Sequence, residues 1–208
     1  MNILIADDHA IVRRGLIELL REEFLNAAIT EAGSSYEVLE KVKGKVWDII
    51  VLDISMPGRN GVEVLKQLRI DGIKAPVLML SVHPEEQYAI RVLKAGASGF
   101  LNKDSATEEL IAAVRRLLSG KKYITESLAE KLASSSFENS EKPLHEILSD
   151  REMQVFQLIA SGCSVSEIAD KIFLSVNTIS TYRSRVLEKL GLSNNVEITR
   201  YAIEKGLI

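Results

Sequence analysis

One cysteine in 208 residues, Cys163, leaves no intramolecular disulfide to be made, and a reducing cytoplasm is the natural setting for such a chain. Long apolar runs are missing too. Stretches such as Val77–Leu80 span only a few residues, whereas a membrane-spanning helix needs about 20, so no membrane partner is expected. The amino terminus has no basic flank and no cleavage-like site. Met1-Asn2-Ile3-Leu4-Ile5-Ala6 runs straight into Asp7-Asp8, which does not read as a signal peptide. Charge of one sign is also not in excess. The net charge is -3, with 15 Lys+Arg against 17 Asp+Glu in residues 1–120 and 11 against 12 in residues 121–208. Neither half is basic enough for bulk charge to announce nucleic-acid binding. There are no internal repeats. What is present is an ordinary globular balance of 46% hydrophobic and 26% charged residues. The length suits one large domain or two small ones.

The first 120 residues alternate between two patterns. Short apolar, β-branched runs occur at Ile3–Ala6, Ala28–Glu31, Ile49–Leu52, Val77–Leu80 and Gly99–Leu101. Between them lie stretches with helical spacing, such as Val12, Leu16, Leu19 and Leu20, and later Leu110, Val114, Leu117 and Leu118. Five strands alternating with five helices predict an α/β domain, a parallel sheet covered on both faces. Ser105-Ala-Thr-Glu108 has the spacing of a capping box for the last of these helices. A polar, serine-rich stretch at 134–143 reads as a linker, with a short helix near 125–133 before it. From Leu148 onward four short helices are expected, about 151–161, 165–172, 176–190 and 196–205, and no strand. Ser149-Asp-Arg-Glu152 and Ser164-Val-Ser-Glu167 mark two of their starts. The expected division is 1–120, 121–147 and 148–208.

Polar residues of the first domain fall where strands end: Asp7 and Asp8 after the first, Asp53 after the third, Ser81 after the fourth, Lys103 after the fifth. Open parallel sheets bind ligands outside those carboxyl ends. Three carboxylates crowded together repel one another. A hard divalent cation such as Mg²⁺, which takes oxygen ligands, removes the conflict. A lysine then balances an incoming phosphoryl group as a point charge, a serine hydroxyl can bond one of its oxygens, and a carboxylate can be the nucleophile that accepts it. His9 reads as a surface residue beside this cluster. Pro57-Gly58 and Gly61 read as loop and helix-start geometry.

These residues, in Leu52-Asp53-Ile-Ser-Met-Pro57-Gly-Arg-Asn-Gly61, Leu78-Met-Leu-Ser81 and Gly99-Phe100-Leu-Asn-Lys103, resemble the receiver domain of two-component response regulators over about residues 1–120. The resemblance implies a five-stranded, doubly wound, flavodoxin-like fold. It implies that Asp53 accepts phosphate from a sensor histidine kinase, and that Asp8, Asp53 and the backbone carbonyl of Ser55 hold Mg²⁺ with Asp7 nearby. It further implies that Ser81 and Lys103 touch the phosphoryl group and that Phe100 is an aromatic switch; as a residue alone, Phe100 could equally be plain core. Asp104 stands where many receivers have proline.

The third C-terminal helix carries Ile179, Tyr182, Val186, Leu187 and Leu190 on one face and Asn177, Thr178, Ser180, Thr181, Ser184, Arg185 and Glu188 on the other. Small hydroxyls and few acids suit a face that approaches base edges in a major groove. Lys171, Arg183, Arg185 and Lys189 against Asp170 and Glu188 leave this unit locally positive. Leu148-Ser149-Asp-Arg151-Glu152, Glu167-Ile168-Ala169 and Leu174-Ser175-Val-Asn177-Thr178-Ile179 resemble the LuxR/NarL-type helix-turn-helix over about 148–205. That resemblance implies an all-α four-helix domain whose helix 176–190 reads double-stranded DNA. Ser180, Thr181 and Ser184 face bases there, while Thr178, Arg183, Arg185 and Lys189 meet phosphates. The last helix, near Val196–Ile203, then serves a homodimer. Tyr182 and Asn177 stand where the family usually has histidine and often lysine.

The expected function is that of a cytoplasmic transcription regulator, not an enzyme, with RNA polymerase as a further candidate partner. Two rivals use the same residues. An aspartate-nucleophile phosphohydrolase typically has a second acid two residues after the nucleophile, where this chain has Ser55. A DNA binder with a vestigial receiver has no need of the complete set of five pocket residues.

Overall fold

A computed structural model describes residues 1–56, 58–82, 85–125, 128–130 and 143–208. The linker stretch expected at 134–143 lies almost wholly outside them, as does Pro57; of the short helix expected near 125–133, residues 128–130 are described and helical. The chain forms two compact units, Met1–Phe137 and Glu138–Ile208.

The first unit is a five-stranded sheet in the order β2-β1-β3-β4-β5, every pair parallel. The strands are β1 (Asn2–Ala6), β2 (Ala28–Ala32), β3 (Ile49–Asp53), β4 (Val77–Ser81) and β5 (Gly99–Asn102). The helices between and after them are α1 (Ala10–Glu23), α2 (Ser35–Lys41), α3 (Gly61–Ile70), α4 (Glu85–Lys94) and α5 (Ala106–Leu118). Alternate strand residues serve opposite faces. Leu4, Ile50, Leu52 and Met79 join one cluster with Val38, Leu65 and Tyr88, under α2, α3 and α4. Ile3, Ile5, Ile49 and Val51 join the other with Leu16, Leu20, Leu110 and Val114, under α1 and α5. Side chains such as Ile3, Leu4, Ile50 and Leu110 are fully buried, each worth roughly 1.5–3 kcal/mol against exposure. Two-sided burial is why the central strands read as continuous apolar runs.

The sheet's two outer edges carry partners. On the outer side of β2, Lys41 Nζ donates to the Glu31 carbonyl (2.6 Å). Beside β5, Tyr123 makes a single parallel bridge to Gly99.

One helix start differs from expectation. Ser105 precedes α5 but makes no side-chain cap. The chain already turns helically at Asn102–Ser105, leaving Ser105 at φ -95° and ψ 0° rather than extended. Its hydroxyl instead donates to the Asn102 carbonyl (3.3 Å). Reciprocal capping boxes do form at Asn60–Glu63, Ser149–Glu152 and Ser164–Glu167.

The second unit opens with a 3-10 turn at Leu144–Ile147, followed by α6 (Asp150–Ala160), α7 (Val165–Ile172), α8 (Val176–Leu190) and α9 (Asn195–Glu204). Phe156, Ile168, Ile179, Val186 and Ile198 form its core. A three-residue turn joins α7 to α8. In it Phe173 sits at φ 55°, the one described non-glycine residue with positive φ, and Ser175 caps α8 by accepting from the Thr178 N–H. No helix among the described residues is long and apolar enough to cross a membrane.

Candidate functional site

Parallel register builds the acidic pocket. Ala6 pairs with Leu52, so the residues that follow them, Asp7 and Asp53, stand side by side. Ser81 pairs with Asn102, and the next backbone N–H, that of Lys103, donates to the Ser81 carbonyl (2.8 Å). Lys103 therefore turns back over the strand ends, its Nζ 2.7 Å from Asp7 Oδ2 and 2.9 Å from Asp53 Oδ2. Asp7, Asp53 and Ser81 are buried.

Backbone N–H groups fix the carboxylates. His9 N donates to Asp7 Oδ1 (2.8 Å) and Ser55 N to Asp53 Oδ1 (3.2 Å). Gly61 lets α3 start against the back of the pocket. A Cβ there would lie 2.1 Å from the Asp53 carbonyl oxygen, so no other residue fits that approach. The His9 imidazole is largely exposed, with Nδ1 2.8 Å from Asp8 Oδ1.

Burial pushes the Asp53 carboxyl up to about 6; the Lys103 ammonium pulls it down and the Asp7 charge adds to the rise. Burial opposes the charge on Lys103, yet Asp53 and Asp7 together hold its ammonium above the usual lysine value. The pocket is thus one cation short of comfort. Asp7, Asp8, His9 and Asp53 each offer a ligand atom, all within 4.8 Å of one another. Three of the four donors are carboxylate oxygens, a set that suits a hard divalent ion.

Asp104, in the place where many receiver domains have proline, donates its backbone N–H to Asn102 Oδ1 (2.8 Å). Proline has no N–H to make that bond. Phe100 is 2% exposed and packed in the cluster that holds Tyr88 and Met79.

In the second unit, α8 turns Asn177, Ser180, Thr181, Ser184, Arg185 and Glu188 to solvent, while Thr178 and Arg183 are half-buried at the edges of that stripe. The hydroxyls of Thr181 and Ser184 donate back to the carbonyls of Asn177 (2.9 Å) and Ser180 (3.0 Å). That of Thr178 lies 2.8 Å from the Ser175 hydroxyl. Two of the three expected cationic phosphate contacts also have partners within the unit. Arg183 Nε donates to Asn195 Oδ1 (2.6 Å). Lys189 Nζ lies 2.6 Å from Glu152 Oε2. Arg185 is the cation that stands on the exposed stripe itself.

A parallel α/β domain with a buried Asp–Asp–Lys pocket at its strand ends, followed by a helix-turn-helix, defines a class: a switch domain joined to a regulatory domain. Residues 3–115 match the response regulator receiver domain and residues 146–202 the bacterial regulatory proteins of the luxR family. The chain belongs to the response regulators of the LuxR/NarL class. It is 34% identical over 209 residues to response regulator UvrY of Escherichia coli K12, covering 100% of this chain and 95% of that one. It is 33% identical over 208 residues to response regulator GacA of Pseudomonas protegens, covering 100% and 98%. Among solved structures, RcsB from Salmonella enterica serovar Typhimurium, bound to promoter rprA with the phosphomimetic BeF3-, is 25% identical. It matches with a TM-score of 0.66 over 97% of each chain. An RcsB–DNA complex matches at 0.59 and 28% identity over 98% of each.

Proposed function

We propose that this chain is a transcription regulator switched by phosphorylation of Asp53, with residues 1–120 as the switch and 148–208 as the DNA reader. The observation that carries the reading is the placement of Lys103 Nζ between Asp7 and Asp53 at 2.7 and 2.9 Å. A buried carboxylate held beside a lysine at a strand end is a nucleophile with its charge-balancing partner in place. An Asp53 carboxylate oxygen attacks phosphorus. The N–P bond of a phosphohistidine on the sensor kinase breaks, and the departing imidazole takes up a proton. Lys103 neutralises the new charge and the Ser81 hydroxyl donates to a phosphoryl oxygen.

Asp8, Asp53 and the Ser55 carbonyl would hold Mg²⁺, with Asp7 close by; the cluster of oxygen donors within 4.8 Å fits it. Bound there, the ion supplies positive charge that relieves the crowded carboxylates and the incoming phosphoryl oxygens. We read the chain as a switch and not a turnover enzyme. Two residues past Asp53 stands Ser55, whose N–H donates to the carboxylate, where a phosphohydrolase carries an acid.

For DNA, Ser180, Thr181 and Ser184 lie on the exposed stripe and face base edges. Arg185 leads the phosphate contacts; Arg183 and Lys189, already engaged with Asn195 and Glu152 through one donor each, join it with their remaining N–H groups. That RcsB is found in complex with DNA supports DNA as the partner of this unit. Phosphorylated homodimers would read paired half-sites about one helical turn apart. Asp53→Asn is expected to abolish uptake of one phosphoryl group from acetyl phosphate, read by intact mass. Continued uptake by the variant would sink the assignment.

A further inference from the structure

Between the two family matches, which end at 115 and begin at 146, the chain does not simply leave the first unit. After α5 it turns back and lays residues 122–125 along β5. Tyr123 N donates to the Ser98 carbonyl (3.0 Å) and Phe100 N donates to the Tyr123 carbonyl (3.3 Å). Two bonds from one residue to the neighbours of its partner are the pattern of a parallel ladder. Successive side chains then go to opposite faces of the sheet. Tyr123 packs against the cluster under α1 and α5, and Ile124 against the one that holds Phe100.

The contact is close. A Cβ on Gly99 would sit 2.9 Å from the Tyr123 carbonyl oxygen and 3.0 Å from its Cβ, so glycine is what admits the segment. Further along, the Thr125 hydroxyl donates to Glu85 Oε2 (2.5 Å), at the first residue of α4. Leu128 is 2% exposed, in the same cluster as Phe100 and Tyr88. The segment therefore grips two elements at once. One is β5, which leads into Lys103. The other is the start of α4, four residues after Ser81.

We propose that residues 122–125 with Leu128 are a strap that ties α4 to β5, and that phosphorylation loosens it. The proposal rests on the reading of Asp53 as phosphoacceptor and of Ser81 and Lys103 as its phosphoryl contacts. A phosphoryl group on Asp53 draws the Ser81 hydroxyl inward and takes Lys103 from the carboxylates it now bridges. Ser81 and Glu85 are joined by three residues, so a shift at Ser81 is felt at Glu85. The Thr125–Glu85 bond is single and exposed, the kind of contact worth little net stability and opened by small displacements. Its loss removes this polar tie between α4 and the strap. The strap is then held from the β5 and α5 side by the Tyr123 ladder bonds, by the Tyr123 hydroxyl on Glu109 and by Arg116 Nε on the Lys122 carbonyl, with Ile124 and Leu128 packed in the core. The residues that follow lead to the second unit, so the strap is the place where pocket state reaches the linker.

The test is amide hydrogen exchange on the full chain, read in peptides covering 121–130 and 78–86, with Mg²⁺ and with or without beryllofluoride. Exchange at 121–130 is expected to rise at least about fivefold with the phosphoryl mimic in the wild type and not at all in Asp53→Asn. Glu85→Ala, outside the pocket and leaving the Thr125 oxygen to accept from the Leu128 N–H, is expected to raise exchange at 121–130 without the mimic while leaving acetyl phosphate uptake within about twofold. Gly99→Ala should act the same way by pushing Tyr123 aside. A fall or no change at 121–130, while 78–86 responds, overturns the strap and leaves the pocket reading standing. If the chain takes up no phosphate, the Asp53 reading fails and the coupling with it. Glu85→Ala then still decides whether Glu85 holds the strap.

Discussion

In the first unit Asp7 and Asp53 are shut away from solvent with Lys103 between them; in the second, Ser180, Thr181 and Ser184 stand in solvent along one stripe of α8. Each unit also has a lysine–carboxylate pair, and the two are tuned in opposite directions. Lys103 faces two buried carboxylates, and burial carries Asp53 up to about 6. Lys189 meets one, Glu152. Burial works against that charge, but the hydrogen bonds from Lys189 and Ser149 outweigh it and hold the carboxyl below its usual value. A pair left in conflict is poised for an incoming group. A pair fully resolved fixes a helix in place. Chemistry that waits for charge is buried; recognition that must touch a long polymer is exposed and satisfied by its own backbone until then.

The sharpest way to break this contrast is at the back of the pocket. Gly61→Ala puts a methyl 2.1 Å from the Asp53 carbonyl oxygen and is expected to cost the first unit about 3 kcal/mol or more. Calorimetry of the full chain should show only one of its two transitions moving.

Acidity separates the units by sign. In metal-free protein the folded Asp53 value, about 6 against an ordinary 3.8, means that the folded state binds more protons between those limits. The first unit should gain stability, on the order of 2 kcal/mol, as pH falls through that window. Glu152, held low, contributes stability above its unfolded value of 4.5 that is lost as pH falls through the folded one. Unfolding followed from pH 7 to pH 4 should move the two transitions apart, and parallel shifts would contradict the assignment.

Thr181→Ala tests the exposed stripe. Binding to a cognate site should weaken about tenfold, with little loss on random DNA; equal losses would move Thr181 to a backbone role. The smallest effect concerns two serines that look alike in sequence. Ser149→Ala should cost about 1 kcal/mol, because its oxygen caps α6. Ser105→Ala should cost well under that, because its hydroxyl does not cap α5.

Those serines also mark the limit of what is legible in the sequence. Five parallel strands and their burial were legible because β1, β3 and β4 are apolar on both faces and end in polar residues; their order in the sheet was not. The pocket was legible because side chains at strand ends are brought together by register, and register follows from the apolar runs. Helix faces were legible from period. Where a long side chain goes was not. The 3.6 period puts Arg183 and Lys189 near the outward face of α8, but their partners, Asn195 and Glu152, are 12 and 37 residues away. Ser105 has the spacing of a capping box, yet the turn before it takes its backbone out of the extended conformation a cap requires. Tyr123 pairs through a single residue, too short for any period to announce.

The two partners on the outer strands carry a further consequence. An open sheet edge is a template on which another chain can pair its own strand. Here the Lys41 ammonium occupies an outward carbonyl of β2, and Tyr123 occupies the outward groups beside Gly99 on β5. Both rims of the sheet are blunted, one by a charge and the other by the chain's own continuation. Copies of this protein at high local concentration are thereby steered away from strand-on-strand growth.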